Sequence, residues 1–536
     1  MKHMKKLLFT LLFTILLSAC GNTNNNPTNS ESNSDPLSES ETLSESETTP
    51  ESVGPAEGDV TFYAINDFHG AVKENETARE MGIQRVGSFL KEKGKDGNTL
   101  LINSGDYWQG SLESNYSYGE MLTKIANYVE FDAFTIGNHE FDWSDTYIKH
   151  NRALKDPNTN YSTPFLAANI YNYDINTKTT LDFADLGEKY SIRTLENGIK
   201  VGIIGMIGNG QISSIVSNNV DHLTFVKPTT IIKELSDELR AKGCHIVALS
   251  LHEGGSGLSD TITDCVDVVF AAHTHQTENK LQSNVPIIQG SCNGKYISKV
   301  KLHLDLDGTV TVVERANLNG EDIPEADDTG ITKIINQYKT EYETLGNSVI
   351  ANLGGSGNQS TTIPHMVTTA FADYAYENNI EFDYAITNNA RSSLNSGKVT
   401  YSQLYKSLPF DNIVYIAECS GNDLSYQLGY NSFYRNDPNP LDINKTYRIL
   451  VIDYLATHRD DNRNYDKFRT IKLLDAITKD GSSIYNYRDI TKDWMLDVYN
   501  SEIATIQTAD FTNSSMRHNK DSIYKNVELP TNKYVF

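Results

Sequence analysis

The sequence predicts an α/β protein in which sheets are covered by helices. Three observations carry that prediction. Short, almost continuous apolar runs recur along the first half of the chain. Amphipathic segments at helical spacing lie between them, as at residues 84–93 and 230–242. Most of the apolar runs end abruptly in Asp, Asn or His. Strands that are apolar throughout belong to sheets buried on both faces. Ligands of such sheets gather beyond the carboxyl ends of their strands.

Taken in order, Val60-Thr61-Phe62-Tyr63-Ala64-Ile65 runs into Asn66-Asp67-Phe68-His69-Gly70. Thr99-Leu100-Leu101-Ile102 runs into Asn103-Ser104-Gly105-Asp106. The apolar run at 131–136 ends in Gly137-Asn138-His139-Glu140-Phe141-Asp142, and 201–206 is a further apolar run. The run at 244–251 leads into His252, and the one at 266–272 into His273-Thr274-His275. Carboxylate, amide and imidazole donors without thiolates suit divalent ions such as Zn²⁺ or Mn²⁺. Seven such ligands, one of them bridging, are enough for two ions about 3.5–4 Å apart, an arrangement suited to displacement at phosphorus.

The chain has 536 residues, 46 Lys plus Arg against 70 Asp plus Glu, a formal net charge of −24 and 38% hydrophobic residues. That length predicts at least two folded domains, and the hydrophobic content excludes wholesale disorder. The negative charge argues against a protein whose affinity comes from neutralising nucleic-acid phosphates, so no nucleic-acid polymer is expected as partner. Five cysteines in so long a chain are no disulfide scaffold. Gly202-Ile203-Ile204-Gly205 is not a dinucleotide fingerprint, because no Gly-rich turn into a helix follows. No fixed-period internal repeat is present.

Lys2, Lys5 and Lys6 precede an apolar run from Leu7 to Leu17, about half the length of a membrane span. The sequence Leu17-Ser18-Ala19-Cys20 resembles the lipobox of bacterial lipoproteins. This implies removal of residues 1–19 and lipidation of Cys20, which would anchor the protein outside the cytoplasmic membrane. From 21 to 58 the chain has no aromatic, Lys or Arg residue, a composition expected of a disordered acidic tether.

The blocks Asp67-Phe68-His69, Gly105-Asp106, Gly137 to Asp142, His252 and His273-Thr274-His275 resemble the calcineurin-like metallophosphoesterases. More narrowly they resemble the 5′-nucleotidase family, with its UDP-sugar hydrolase and 2′,3′-cyclic-nucleotide phosphodiesterase members. The resemblance implies a four-layer αββα metallophosphoesterase domain (59–325), a linker helix (326–349) and a smaller α+β C-terminal domain (350–536). It implies two divalent metal ions, one held by Asp67, His69 and His275 and the other by Asn138, His252 and His273. Asp106 would bridge them together with a hydroxide that attacks phosphorus in line. His139 would stabilise the charge developing on the phosphoryl oxygens, with Asp142 orienting its ring. The substrate expected is a nucleotide or related phosphoester, and the protein is expected to be a monomer.

In the same family the second domain selects the substrate. Residues 331–345 have helical spacing and fit the linker. Asn388-Asn389-Ala390-Arg391 stands where the family has an Asn-x-Gly-Gly-x-Arg loop, so Arg391 and Asn388 would meet the substrate. Phe433 or Tyr434, and then Tyr465, stand near the two aromatic rings between which the family stacks a base. The chain departs from the pattern at His458-Arg459-Asp460-Asp461-Asn462-Arg463-Asn464, where relatives carry Gly-Gly-Asp-Gly, and at Ile363-Pro364-His365, where they carry an early Arg. Arg459 and Arg463 are candidates to replace that charge. These departures bear on which phosphoester is preferred, not on the metal chemistry.

Overall fold

In a computed structural model, the described residues are 56–511 other than 438, 461, 462, 480, 502 and 503. The leader, Cys20 and nearly all of the acidic tether lie outside them. Among the described residues no helix is long and apolar enough to cross a membrane.

Two six-stranded sheets form the first half. In one, Gly58–Ile65 lies parallel to Thr99–Asn103, followed by Ala133–Thr135 and Phe165–Leu166, while Ile297–Leu304 and Val310–Leu318 extend the other edge antiparallel. In the other, Lys200–Ile207, Ile246–His252, Val268–Ala271 and Val285–Gly290 run parallel, flanked by antiparallel Tyr190–Thr194 and Thr277–Gln282.

Alternation along each strand builds the layers. Val60, Phe62 and Ala64 point toward the second sheet and pack with Ile203, Ala248 and Phe270, the Phe62 and Phe270 rings lying 5.7 Å apart. Tyr63 and Ile65 point the other way, onto a cluster with Ile83, Val86 and Leu90 of the helix Gly82–Lys93 and Ile125 and Val129 of Glu120–Val129. On the far side, Leu249 and Leu251 pack under Ile232, Leu235 and Leu239 of Pro228–Ala241. The order helix, sheet, sheet, helix follows, and the expected strands and helices appear with ends shifted by one or two residues.

The linker departs from expectation. Where one helix over 331–345 is predicted, two short ones stand, Thr329–Asn336 and Lys339–Gly346. Tyr338 lies in the turn between them, and its hydroxyl donates to Glu120 and accepts from Lys124, each at 2.7 Å. Beyond the linker, a five-stranded sheet has the order Ser432–Arg435, Tyr384–Thr387, Thr446–Ile452, Val414–Ser420, Lys472–Ala476. The helix Thr362–Glu377 packs on it, and Tyr487–Asn500 packs on that helix in turn. The stretch beyond residue 475 carries no legible role in the sequence, yet Trp494 donates from its indole to Asp373 at 2.7 Å and sits in the core.

Candidate metal centre

Beyond the carboxyl ends of the central strands, the predicted ligands converge. Asp67, His69 and His275 offer donor atoms within 4.8 Å of one another, and so do Asp106, His252 and His273. Asn138 joins the second group, its Oδ1 lying 3.1 Å from His252 Nε2 and 2.9 Å from His273 Nδ1. Asp106 Oδ2 lies 3.2 Å from His252 Nε2 and 3.9 Å from His69 Nε2, so one carboxylate faces both groups.

The backbone reaches this arrangement through conformations that side chains seldom adopt. Asp67, His69, Asp106, His273 and His275 all have φ between 47° and 69°. The left-handed region is uncommon for residues with a Cβ, although Asp, Asn and His enter it most readily. Strain concentrated at five neighbouring positions marks a functional constraint rather than chance. Two glycines allow the close approach. A Cβ on Gly105, itself at φ +93°, would meet Gly137 N and His252 Nδ1 at 2.8 Å, and one on Gly137 would meet Asp106 Oδ1 at 2.4 Å.

Hydrogen bonds fix which nitrogens face the centre. His252 Nδ1 donates to the Ser104 carbonyl at 2.8 Å and His69 Nδ1 to the Gln109 carbonyl at 3.0 Å, so each Nε2 faces the centre. This is the outer support expected of a ligating imidazole. Burial opposes charge on His252, but Asp106 outweighs it and raises the ring's pKa to about 10. His69 Nε2 then stands 2.9 Å from His275 Nε2, near enough for one cation to meet both rings. Burial, reinforced by neighbouring cationic groups, holds His273 and His275 down at about 4 and His69 well below the usual imidazole range, so all three are neutral donors. Burial also pushes Asp67 up to about 7, opposed by the charge of His252 and reinforced by that of Asp106. The donor set, its tautomers and its buried negative charge fit divalent cations.

Around this cluster, Glu140 is fully buried and accepts from the backbone N–H groups of Asp106, Tyr107 and Gly137 at 2.8–2.9 Å. It ties two of the ligand loops together, a role its motif did not reveal. His139 Nδ1 pairs with Asp142 Oδ2 at 2.9 Å, as expected of an oriented imidazole. Burial opposes charge on that ring, but Asp142 and Asp106 outweigh it and raise its pKa. From the second domain, Arg391 Nη2 reaches to 3.4 Å of His139 Nε2, and the Phe410 ring stacks on His139 at 5.6 Å.

A cavity of about 620 Å³ opens beside the cluster, between the two halves of the chain, and Asn138, His139 and His273 line it together with Asn388 and Arg391. Its aromatic walls are Trp143, Phe410, Tyr430 and Tyr454. Phe433, Tyr434 and Tyr465 are not among its lining residues. Tyr434 is 2% exposed, packed within the core of the sheet. Phe433 faces Tyr384, their rings 6.2 Å apart, and Tyr465 lies under the Arg459 guanidinium at 4.7 Å. Phe433 and Tyr434 fall inside the strand Ser432–Arg435, so pairing governs their direction, whereas Tyr430 precedes it and Tyr454 follows Thr446–Ile452. Arg459 and Arg463 do not line the cavity either. Arg459 pairs with Asp221 at 3.1 Å and Arg463 lies over Tyr173, so both fasten the second domain to the first. The free cation the cavity gains is Lys467, which has no ion-pair partner among the described residues.

Residues 60–277 match the model for calcineurin-like phosphoesterases, and residues 344–431 that for the 5′-nucleotidase C-terminal domain. The cell wall protein Lmo0130 of Listeria monocytogenes is 23% identical over 80% of this chain and 66% of its own length. Endonuclease YhcR of Bacillus subtilis is 24% identical over 67% of this chain, which spans only 32% of that relative. The 5′-nucleotidase precursor of Thermus thermophilus superposes with a TM-score of 0.64 at 17% identity, covering 84% of this chain and 99% of that one. A calcineurin-like phosphoesterase domain joined to a 5′-nucleotidase C-terminal domain places this chain in the 5′-nucleotidase group of calcineurin-like phosphoesterases.

Proposed function

We propose that the chain hydrolyses nucleotide phosphoesters outside the cytoplasmic membrane, using two divalent ions. Asp67, His69 and His275 would hold one ion, Asn138, His252 and His273 the other, and Asp106 would serve both. The observation that carries this reading is the meeting of two halves at one point. Asn138, His139 and His273, at the edge of the ligand cluster, line the same cavity as Arg391, Tyr430 and Tyr454. Ions held there would lower the pKa of water and polarise phosphoryl oxygens.

The chain's own groups supply the rest. His139, oriented by Asp142, and Arg391 would direct hydrogen bonds and positive charge at the non-bridging oxygens as negative charge grows there. Arg391 can address two oxygens at once through its planar fork. Tyr430 and Tyr454 offer the rings against which a base stacks, in place of Phe433, Tyr434 and Tyr465, and such stacking accepts every base. The leader ending in Cys20 supports export and lipid anchoring, and the cell-wall name of the Listeria relative accords with that location.

The test is release of phosphate or nucleoside from AMP, UMP, ATP, UDP-glucose and 2′,3′-cyclic AMP by the Mn²⁺- or Zn²⁺-loaded protein, with a single-stranded polynucleotide as an added arm. Turnover of a mononucleotide-class substrate supports the reading. Cleavage of the polynucleotide alone would replace it with a nuclease. Failure to bind ions or turn over any substrate would leave a lipid-anchored binding protein.

A further inference from the structure

A second cavity of about 370 Å³ reaches the ligand cluster from its other end. His69 and His275 border it, whereas Asn138, His139 and His273 border the first. The two spaces share Gln109, Ala390 and Arg391, which therefore stand where they meet.

Their walls differ in kind. Asp142, Asp411 and Asp453 line the first cavity beside its aromatic rings. Lys295, Lys406 and Arg391 line the second, with no carboxylate and no Phe, Tyr or Trp, in a chain whose net charge is −24. Glu80 holds Lys406 at 2.9 Å, but among the described residues no ion pair engages Lys295. Ser111 and Ser392 add hydroxyls. At the junction Gln109 is 1% exposed, and neither atom of its amide has a hydrogen-bond partner among the described residues. An orphaned amide in a cavity wall calls for a polar ligand. Cations and neutral donors without rings suit a small oxyanion and offer a base nothing to stack on. Gln359, also in the wall, is exposed, so the cavity reaches the surface.

We propose that the second cavity is the way out for orthophosphate, a binding site for the free product apart from the ligand cluster. The inference rests on the phosphoester hydrolysis proposed above and adds a release route to it. Cleavage leaves orthophosphate beside the cluster and Arg391, with the nucleoside between it and the mouth of the first cavity. A phosphate confined to that mouth would wait for the nucleoside to leave. Through the second cavity the two products part without crossing. Lys295 and the amide of Gln109 meet the phosphate as it moves off.

Two measurements on the metal-loaded protein test this. In the first, Gln359→Trp narrows the cavity from its exposed side, with Gln359→Ala as control. During AMP hydrolysis, a fluorescent phosphate sensor should report release about tenfold slower in Gln359→Trp and no slower in Gln359→Ala. Rapid quench of Gln359→Trp should show a burst of adenosine near one per chain, formed at the wild-type rate. In the second, calorimetric titration of wild type with orthophosphate should show two phases. Lys295→Ala should weaken one of them about tenfold, as for loss of a charge-assisted contact, and spare the other. Saturating adenosine, which fills the first cavity, should leave the Lys295-dependent phase in place. Phosphate release unchanged in Gln359→Trp would overturn the proposal, since the cavity would then hold phosphate without passing it. A titration that Lys295→Ala does not alter would overturn it too. A wild type that cleaves no phosphoester removes the proposed function and the exit with it, while the Lys295-dependent phase still decides the oxyanion site.

Discussion

The metal cluster and the nucleoside wall of the cavity are built on opposite terms. The cluster hangs from strand ends, in strained backbone, with each imidazole fixed by a carbonyl, a carboxylate or a neighbouring donor. The proposed nucleoside wall comes from a turn at Tyr430 and the single helical turn Asp453–Ala456 that carries Tyr454, and Tyr430 is 72% exposed. Rigid positioning is what an ion needs, because its geometry tolerates little error. A surface that accepts several bases needs only a ring at about the right place. The difference teaches that the two halves should fail differently when altered.

The sharpest contrast is Asp106→Ala. Removing the one carboxylate that faces both groups should abolish turnover and lower the metal content, read by elemental analysis together with phosphate release. His139→Ala should instead keep the bound ions while kcat falls roughly 10²–10³-fold, as for loss of one group that stabilises developing charge. On the other side, Tyr454→Ala should act on KM. Base stacking is worth about 1–3 kcal/mol, so a rise of roughly 5- to 150-fold is expected, with kcat and metal content little changed. A Tyr454→Ala protein that lost its ions would erase the distinction between the halves.

The smallest effect concerns the tie between them. Burial opposes the charge of Glu120, but Lys124, Tyr338 and His150 more than compensate and hold its pKa down at about 2. A folded-state pKa below the unfolded one stabilises the protein above pH ~4.5, and that stabilisation is lost as the pH falls toward 2. Glu120→Gln should therefore lower the denaturation midpoint at pH 6, with the gap to wild type narrowing as the pH falls from about 4.5 toward 2.

The same contrast explains what could be read from the sequence. The arrangement of Asp67, Asp106, Asn138 and His252 was legible because each follows directly on an apolar run, so the strand itself dictates the position. Arg391 was legible for the same reason, close after Tyr384–Thr387. The rings were not. Whether Phe433 or Tyr430 faces the cavity depends on where a short strand begins, and in a chain with 30 Tyr an aromatic residue near the right place carries little information. Glu140 was hidden because its role lies in backbone contacts rather than in a motif. The Tyr487–Asn500 helix had a usable signal, since Tyr487, Ile490, Thr491, Trp494, Met495 and Val498 fall on one buried face. Its polar surroundings masked it.

The central claim is that two ions share the buried cluster through Asp106. Metal stoichiometry after reconstitution with Mn²⁺ and gel filtration tests it most directly, on wild type, His275→Ala and His273→Ala. The account predicts two ions per chain for wild type and the selective loss of one in each variant. A single ion in the wild type, or two ions retained in both variants, would contradict it.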